Sequence, residues 1–291
     1  MTKLTGLTLV ECPRDAMQGI KTPIPTQVKI DYLTHLLGLG FDVLDCGSFV
    51  NPKSIPQMAD TAEVIQAISG VQSMTKLLVI VANERGATSA LAFPKIRYLG
   101  FPFSLSETFQ RKNTNSSRSG AFKRLGQIQS IAEVSGKEVV AYLSMAFGNP
   151  YKDPWNTEEV TEWAEKIASL GIRTISLADT LGHADPETVS YLFEHLQQRL
   201  PNIEIGVHLH AKVEDWLPKV NAAYNSGCRR FDGALGGVGG CPLAKDELIG
   251  NLPSEKVFNW LLDRNTSNLK IDINWEECRL LALRTYQGIG I

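Results

Sequence analysis

The chain has 291 residues, a formal net charge of −2 and 43% hydrophobic residues. This composition is typical of a globular protein with a large core, and the small net charge argues against a polyanion such as nucleic acid as partner. No apolar run approaches the ~20 residues of a membrane span, and the sequence opens on a strand pattern rather than a signal or transit segment, so we expect a cytoplasmic protein. Five scattered cysteines without CxxC spacing predict reduced thiols rather than disulfides or a zinc knuckle.

Strand-like and helix-like segments alternate along the chain, which is the rhythm of a parallel sheet covered by helices. Short apolar segments predict strands at residues 7–10, 43–46, 77–81, 96–99, 139–143, 174–177, 203–207 and 230–232. Amphipathic segments predict helices at residues 26–39, 119–135, 157–170, 186–199 and 213–226, with closing helices at 255–262 and 275–286. The first half of residues 84–119 lacks a long helical pattern, so we expect only a short helix between the third and fourth strands.

Eight such units fit an α/β fold of the closed (β/α)8 TIM-barrel type with additional C-terminal helices. The alternative is a doubly wound open sheet, which usually has fewer strands and often carries a GxGxxG turn after the first strand. That turn is absent here. No shift in composition marks a boundary, so we expect residues 1–291 to form a single catalytic barrel domain.

The stretch Val207-His208-Leu209-His210 carries the strongest local signal in the chain. Side chains two residues apart leave the same face of a strand, so both imidazoles would project together from its carboxyl end. Neutral imidazole is a common metal ligand. From spacing alone, a metal site and two ordinary histidines at a strand end both stay open.

Polar residues follow several predicted strands, at the barrel end where active sites lie. Arg14 and Asp15 follow the first strand, Asp45 lies on the second, and Asp179 follows the sixth. Asp15 with His208 and His210 would bind a divalent cation while leaving positions for substrate oxygens.

Each acidic or basic residue at these strand ends also has a structural interpretation. Asp15 would otherwise cap a loop or pair with Arg14, and Arg14 would otherwise be a solvated surface residue. In the functional interpretation, Arg14 is a fixed cation that stabilises an enolate formed as a carbon–carbon bond breaks. Asp179, which precedes Gly182, is more often a turn or helix-start residue than a base.

A glycine-rich run, residues 236–240, precedes Cys241 after the eighth strand. It lacks the Lys-Ser or Lys-Thr of a phosphate-binding P-loop. Successive glycines instead predict a mobile loop that folds over the mouth of the barrel. On general grounds Cys241 is an inert small residue in this loop.

With these residues assembled, the chain resembles the hydroxymethylglutaryl-CoA lyases, which belong to a superfamily of metal-dependent lyases and Claisen-condensing enzymes built on a TIM barrel. The match covers about residues 10–262. It is carried by Pro13-Arg14-Asp15-Ala16-Met17-Gln18, by residues 48–60 beginning Ser-Phe-Val-Asn-Pro-Lys, by residues 176–182, by residues 207–210, and by residues 239–244 and 250–252.

The resemblance implies cleavage of hydroxymethylglutaryl-CoA to acetoacetate and acetyl-CoA. It implies an acyl-CoA substrate, a homodimer, and Mg²⁺ or Mn²⁺ bound by Asp15, His208, His210 and Asn251. Arg14 and Asp45 would belong to the catalytic centre, Arg14 steadying the enolate of acetyl-CoA. Asp179 would also belong to it, and Cys241 would take part in proton transfer from a mobile loop.

The sequence departs from the family pattern at several positions near these residues. Ala211 stands where the family has an aspartate, Asp45 where it has a glutamate, and Cys12 where it has a glycine. The loop from Cys241 to Asn251 is one residue longer, which would move Asn251 away from the metal.

Alternative functions stay open at this point. One is a lyase, aldolase or Claisen-type condensing enzyme of the same superfamily acting on a different acyl-CoA or a 2-oxo acid. Condensing enzymes usually carry an additional domain, which favours cleavage for a chain of this length. The other is a barrel that has lost catalysis and serves as a binding or assembly subunit, although the retained ligand set argues against it.

Overall fold

The computed structural model of the chain describes residues 6–212, 214–240, 249–265 and 273–290. Eight parallel strands form its central sheet: β1 (Thr8–Glu11), β2 (Val43–Ser48), β3 (Lys76–Ile80), β4 (Ile96–Ser104), β5 (Glu138–Ser144), β6 (Thr174–Asp179), β7 (Glu204–Ala211) and β8 (Arg230–Gly233). Neighbours in sequence pair along the sheet, and hydrogen bonds between β8 and β1 close it into a barrel. The predicted TIM-barrel fold is confirmed.

Helices cover the outside of this barrel. Their bounds are α1 (Pro13–Gln18), α2 (Thr26–Gly38), α3 (Thr61–Ile68), α4 (Glu84–Leu91), α5 (Glu107–Thr114), α6 (Arg118–Val134), α7 (Thr157–Ser169), α8 (Pro186–Arg199), α9 (Trp216–Asn225), α10 (Ser254–Asn265) and α11 (Trp275–Tyr286). Helix α4 is short, as expected for this unit. Helix α5, which has a capping hydrogen bond from Phe109 N–H to the Ser106 hydroxyl, was not predicted. No helix of the described residues is long and apolar enough to cross a membrane.

The inside and the outside of the barrel have different cores. Alternate strand residues fill the interior, among them Val10, Val43, Leu78 and Val140. The residues between them face outward and join the larger core beneath the helices. Successive residues of each strand therefore contribute in turn to the core inside the barrel and to the core beneath the helices.

Strand β4 continues five residues beyond its predicted end at position 99. The observed strand includes Gly100 and Pro102, two residue types that normally interrupt strands. A Cβ atom at Gly100 would lie 2.6 Å from Ile80 Cδ1 and 3.0 Å from Tyr142 Cε2. The glycine therefore lets these two side chains fill the barrel interior.

Strand β7 also continues, from its predicted end at position 207 to Ala211. His208 and His210 thus lie within the strand rather than after it. A two-residue strand, β9 (Gly250–Asn251), pairs antiparallel with this extension. Helix α9 begins at Trp216, and the start predicted at Val213 lies outside the described residues.

Glu11 ends β1 and is fully buried, which makes it a candidate for a pH-dependent contribution to stability. One carboxylate oxygen accepts the backbone N–H of Leu235 at 2.9 Å. Burial raises its pKa from 4.5 to about 8, although the Ser254 hydroxyl and the Leu235 N–H favour the charged form. The folded chain thus keeps a proton that the unfolded chain releases between these two pH values.

Replacing Glu11 with glutamine should make the protein progressively more stable than the wild type as the pH rises from 5 to 9. Because the folded state binds more protons than the unfolded state in this interval, the wild-type free energy of unfolding falls there, by up to 1.36 kcal/mol per pH unit. Glutamine keeps an acceptor for Leu235 and has no proton to lose. Melting temperatures at several pH values would measure the effect, and a Tm difference that does not change with pH would contradict it.

Candidate active site

Two charged residues of the site come from α1, which begins directly after β1. Pro13 starts this helix at a position where its missing N–H costs nothing. The following turn places Arg14 and Asp15 over the carboxyl end of the barrel, and each residue is only 7% exposed. A short helix on a barrel strand therefore holds an arginine and an aspartate side by side away from water.

The two histidines of β7 lie opposite this helix. Their ring centroids are 5.4 Å apart, and His208 Nε2 is 4.0 Å from Asp15 Oδ2. One donor atom each from Asp15, His208 and His210 lies within 4.8 Å of the other two. The structure thus brings together the three side chains that the sequence analysis grouped as ligands.

His210 has one engaged and one free ring nitrogen. Its Nδ1 lies 3.2 Å from the Thr180 carbonyl oxygen, which accepts the N–H. Its Nε2 is buried and has no hydrogen-bond partner among the described residues. Burial, and then the neighbouring His208, lower the pKa of His210 to about 4. The neutral ring therefore presents a lone pair to the site, which is the state that ligates a cation.

His208 is oriented by a carboxylate on the neighbouring strand. Its Nδ1 lies 3.3 Å from Asp232 Oδ2, so that Nε2 faces Asp15. Burial alone would lower the pKa of His208, but the Asp232 hydrogen bond and the Asp15 charge outweigh burial and raise it. A carboxylate behind a histidine is the usual arrangement for a metal-binding imidazole.

Asn251 reaches the site from β9. It is the Cα partner of His210 across the two strands, and its Nδ2 donates to Asp15 Oδ2 at 2.8 Å and to the Val238 carbonyl oxygen at 2.9 Å. Pairing with β7 thus holds Asn251 beside Asp15 and His210, and its predicted role as a metal ligand stays a prediction.

Arg14 makes bonds to both neighbouring carboxylates. Its Nε donates to Asp45 Oδ2 at 3.0 Å, and its Nη1 donates to Asp15 Oδ1 at 3.0 Å and to Gln18 Oε1 at 2.9 Å. Burial opposes its charge, but Asp45 and Asp15 outweigh burial and raise the pKa of Arg14. The guanidinium is therefore a permanent cation in a fixed orientation.

The pKa values of the two carboxylates beside Arg14 are shifted in opposite directions. Burial raises the pKa of Asp15, yet Arg14 and His208 outweigh this effect and bring it down to about 2. For Asp45, burial outweighs Arg14 and raises the pKa to about 6. Asp15 is consequently the anionic ligand candidate, and Asp45 is the group that holds the arginine.

Asp179 lies behind His210 and is bonded on several sides. Its carboxylate accepts the backbone N–H groups of His183 at 2.8 Å and of Ala184 at 2.9 Å. Lys219 Nζ lies 3.2 Å from it and also donates to the carbonyl oxygens of Gly182 at 2.8 Å and His210 at 3.0 Å. Asp179 thus holds the turn after β6, and its predicted catalytic role stays a prediction.

The glycine-rich run packs closely against the site. A Cβ atom at Gly239, where φ is +94°, would lie 2.6 Å from Ala16 Cα and 2.8 Å from Asn251 Nδ2. Glycine at this position therefore lets the run pack closely against Ala16 and Asn251. The predicted mobile loop over the mouth of the barrel did not include this contact. Cys241, the predicted proton-transfer residue, lies outside the described residues.

Replacing Gly239 with alanine should cost roughly twice as much stability as replacing Gly148 with alanine. Both positions have positive φ, which costs about 1 to 3 kcal/mol for alanine. Gly148 has open space where a Cβ would be, whereas the contacts at Gly239 add a further ~1 to 3 kcal/mol. Thermal unfolding of both variants would test this, and equal losses of Tm would refute the close-packing argument.

Lys219 and Asp232 are the site residues that sequence reasoning missed. Lys219 lies between apolar positions on the buried face of α9, beside Val220 and Ala223, and a lysine in such a stripe is a signal of a buried partner. Asp232 was counted only as the end of the eighth strand. Its inward direction follows from alternation with the outward-facing Phe231, so that signal was available.

The chain resembles known proteins over most of its length. The HMGL-like family model matches residues 9–284. The cytoplasmic 3-hydroxy-3-methylglutaryl-CoA lyase of Rattus norvegicus is 32% identical over 262 residues, which are 90% of this chain and 75% of the relative.

Two solved structures resemble the whole fold. The HMG-CoA lyase of Bacillus subtilis has a TM-score of 0.87 and 32% identity, and the match covers 98% of this chain and 95% of that one. An HMG-CoA lyase of Acinetobacter baumannii, solved in complex with coenzyme A and 3-methylmalate, has a TM-score of 0.85 and 30% identity, with 100% and 94% covered. Because the family model and these relatives span nearly all of the chain, this protein belongs to the HMGL-like family, and it is a carbon–carbon lyase.

Proposed function

We propose that this protein cleaves hydroxymethylglutaryl-CoA to acetoacetate and acetyl-CoA with the help of a bound Mg²⁺ or Mn²⁺ ion. The observation that carries the proposal is the group of Asp15, His208 and His210, whose donor atoms lie within 4.8 Å of one another beside the fixed Arg14 cation. This arrangement combines a cation site with a second positive charge for a developing anion.

The residues present fit a divalent cation. Asp15 stays ionised because its pKa is about 2, and His210 stays neutral with a buried Nε2 that lacks a partner among the described residues. His208 Nε2 and the amide oxygen of Asn251 would complete the set. When bound, the ion supplies Lewis-acid polarisation of the substrate's 3-hydroxyl group.

Arg14 has a defined role in the proposed cleavage reaction. A base takes the proton of the 3-hydroxyl, the bond between C2 and C3 breaks, and C3 becomes the ketone carbon of acetoacetate. The electron pair stays on the acetyl-CoA fragment as an enolate, which then accepts a proton. Arg14 stabilises that enolate, and Asp45 holds Arg14 in place. Cys241 would deliver the proton, as the family resemblance implies.

The name of one relative and the ligands bound to another support an acyl-CoA substrate. The rat relative carries the name of a 3-hydroxy-3-methylglutaryl-CoA lyase, and the Acinetobacter relative was solved with coenzyme A and with 3-methylmalate. The second of these compounds is a hydroxy dicarboxylate, which offers a hydroxyl and a carboxylate oxygen as the proposed substrate does.

A second candidate keeps the reaction and changes the acyl group. Ala211 is 4% exposed and directly follows His210, where the family pattern has an aspartate. The shorter Asp45 replaces a glutamate at the Arg14 contact. Both changes alter the surroundings of the site and favour a different branched 3-hydroxyacyl-CoA over a different reaction.

One assay separates the two candidates. Purified protein is incubated with hydroxymethylglutaryl-CoA and Mg²⁺ or Mn²⁺ under reducing conditions, and acetyl-CoA and acetoacetate are measured together. Equimolar products that disappear on chelation support the proposal. If Mn²⁺ binds but neither product forms, the substrate assignment is wrong, and other branched 3-hydroxyacyl-CoA thioesters replace it in the same assay.

Location and assembly complete the proposal. We place the protein in the cytoplasm, as the cytoplasmic rat relative supports, and we expect a homodimer. Fractionation and light scattering would test these two points.

A further inference from the structure

A second group of side chains with donor atoms suited to a metal ion lies directly beneath the first. It consists of Cys12, His208 and Asp232, whose donor atoms (a thiol sulfur, a ring nitrogen and a carboxylate oxygen) all lie within 4.8 Å of one another. Each residue is buried, Cys12 at 0%, Asp232 at 1% and His208 at 9% exposure. Unlike the upper group, this lower site contains a thiol.

Neighbouring strands bring these residues together. Cys12 directly follows β1, Asp232 lies on β8 and His208 on β7, and β8 pairs with both other strands. Asp232 is the Cα partner of Val10, which also faces the interior. The lower site is therefore built on the rigid part of the barrel.

Two of its members lack strong hydrogen bonds. Asp232 Oδ1 is buried without a hydrogen-bond partner among the described residues, and the nearest cation is Arg230, whose Nε lies 4.0 Å away. The Cys12 thiol makes a weak contact, 4.0 Å from the Val10 carbonyl oxygen. A buried carboxylate oxygen without a donor is costly, and a bound cation would satisfy it.

His208 belongs to both groups through different nitrogens. Its Nδ1 faces Asp232 at 3.3 Å, and its Nε2 faces Asp15 at 4.0 Å. A neutral imidazole has one lone pair for a cation, and its other nitrogen carries a proton. Each tautomer has a carboxylate to accept that proton, so the ring serves either site but only one at a time.

We propose that Cys12, His208 and Asp232 form a binding site for Zn²⁺ that competes with the upper site through the shared His208. Thiolate, imidazole and carboxylate together prefer Zn²⁺ over Mg²⁺ and Mn²⁺, because the latter two ions favour oxygen ligands. On Zn²⁺ binding, Cys12 releases its proton to solvent, and the His208 proton moves from Nδ1 to Nε2 to face Asp15. That Zn²⁺ would thereby inhibit the lyase rests on the proposed function; the binding itself does not.

The test uses metal spectroscopy on the whole chain in a Cys241→Ser background, which removes the loop thiol. Co²⁺ and Cd²⁺ serve as probes, because a bond to thiolate gives a charge-transfer absorption that bonds to nitrogen and oxygen do not. The protein is first loaded with Mn²⁺, and its release is followed by electron paramagnetic resonance as Cd²⁺ or Zn²⁺ is added. Comparison variants are Cys12→Ser, Cys12→Gly, which restores the family residue, and Cys46→Ser.

Cys46 is a matched control for Cys12. It is likewise buried, but it lies on β2, and its thiol is 3.4 Å from the Leu78 carbonyl oxygen on the outward side of that strand. We expect the charge-transfer band, and Mn²⁺ release in step with that band, in the parent and in Cys46→Ser, and loss of the band in the two folded Cys12 variants, in which Mn²⁺ leaves only by direct metal exchange at the upper site.

The outcomes separate the two proposals. A band that persists in Cys12→Ser and Cys12→Gly, or Mn²⁺ that stays bound while the Cys12 band forms, overturns the competing site. Failure to cleave hydroxymethylglutaryl-CoA overturns the proposed function alone, because no substrate is present in the spectroscopic experiment.

Discussion

Replacing Arg14 with glutamine is expected to lower kcat by roughly 10²- to 10³-fold, the usual cost of removing one group that stabilises a developing oxyanion. Mn²⁺ should bind at least as tightly as in the wild type, because the variant removes a positive charge 3.0 Å from Asp15. Steady-state kinetics and Mn²⁺ titration together measure the two effects. If Arg14→Gln kept the turnover of the wild type, Arg14 would not take part in catalysis.

Loss of Arg14 also leaves Asp45 buried without its partner, so a matched variant is needed. The double variant Arg14→Gln/Asp45→Asn removes both charges and should recover most of the Tm while kcat stays low. Arg14→Lys keeps the charge but loses the planar fork that contacts Asp45 through Nε and Nη2. We expect its kcat to lie between those of the wild type and Arg14→Gln.

Replacing Lys219 with methionine is expected to lower the free energy of unfolding by about 3 to 5 kcal/mol, the cost of breaking a buried ion pair at one partner. The variant leaves Asp179 without its cation and the carbonyl oxygens of Gly182 and His210 without their donor. Because that lysine fixes the strand end that carries His210, Mn²⁺ affinity should fall about 10- to 100-fold, as for other groups that orient a ligand.

Two comparisons separate positioning from stability. Lys219→Met/Asp179→Asn removes both charges, so it should recover Tm but not Mn²⁺ affinity. Lys29 is likewise buried and paired, with Nζ 2.8 Å from Asp60 Oδ1, but it joins α2 to the start of α3. Lys29→Met should therefore lose stability and keep Mn²⁺ affinity. Equal losses of affinity in the Lys29 and Lys219 variants would show that general destabilisation is the cause.

The barrel could be predicted because its signals are local. Short apolar strands alternate with amphipathic helices, and helix α8 was predicted with its observed bounds because Pro186 follows a capping aspartate. Strand ends were less predictable, since Gly100 and Pro102 normally interrupt a strand. The place of Gly100 in β4 depends on side chains of neighbouring strands, which no local pattern records.

The core of the candidate site followed from two geometric rules. Residues two apart share a face of a strand, and polar residues after parallel strands meet at one end of the barrel. These rules grouped Asp15, His208 and His210. They could not find the contacts of Lys219 or the pairing of Asn251 with His210, because Lys219 lies on a helix and Asn251 on a two-residue strand that was not predicted.

Because β9 pairs with β7, the position of Asn251 does not depend on the length of the segment that precedes it. Asn251 Nδ2 is bonded to the Val238 carbonyl oxygen, so the chain entering residues 239–250 and the chain leaving them are fastened to each other beside His210. A loop with both ends fixed can change length at small cost, since doubling it costs only about 0.6 kcal/mol in closure entropy. A change in the length of the segment between residues 240 and 249 should therefore leave Asn251 beside His210.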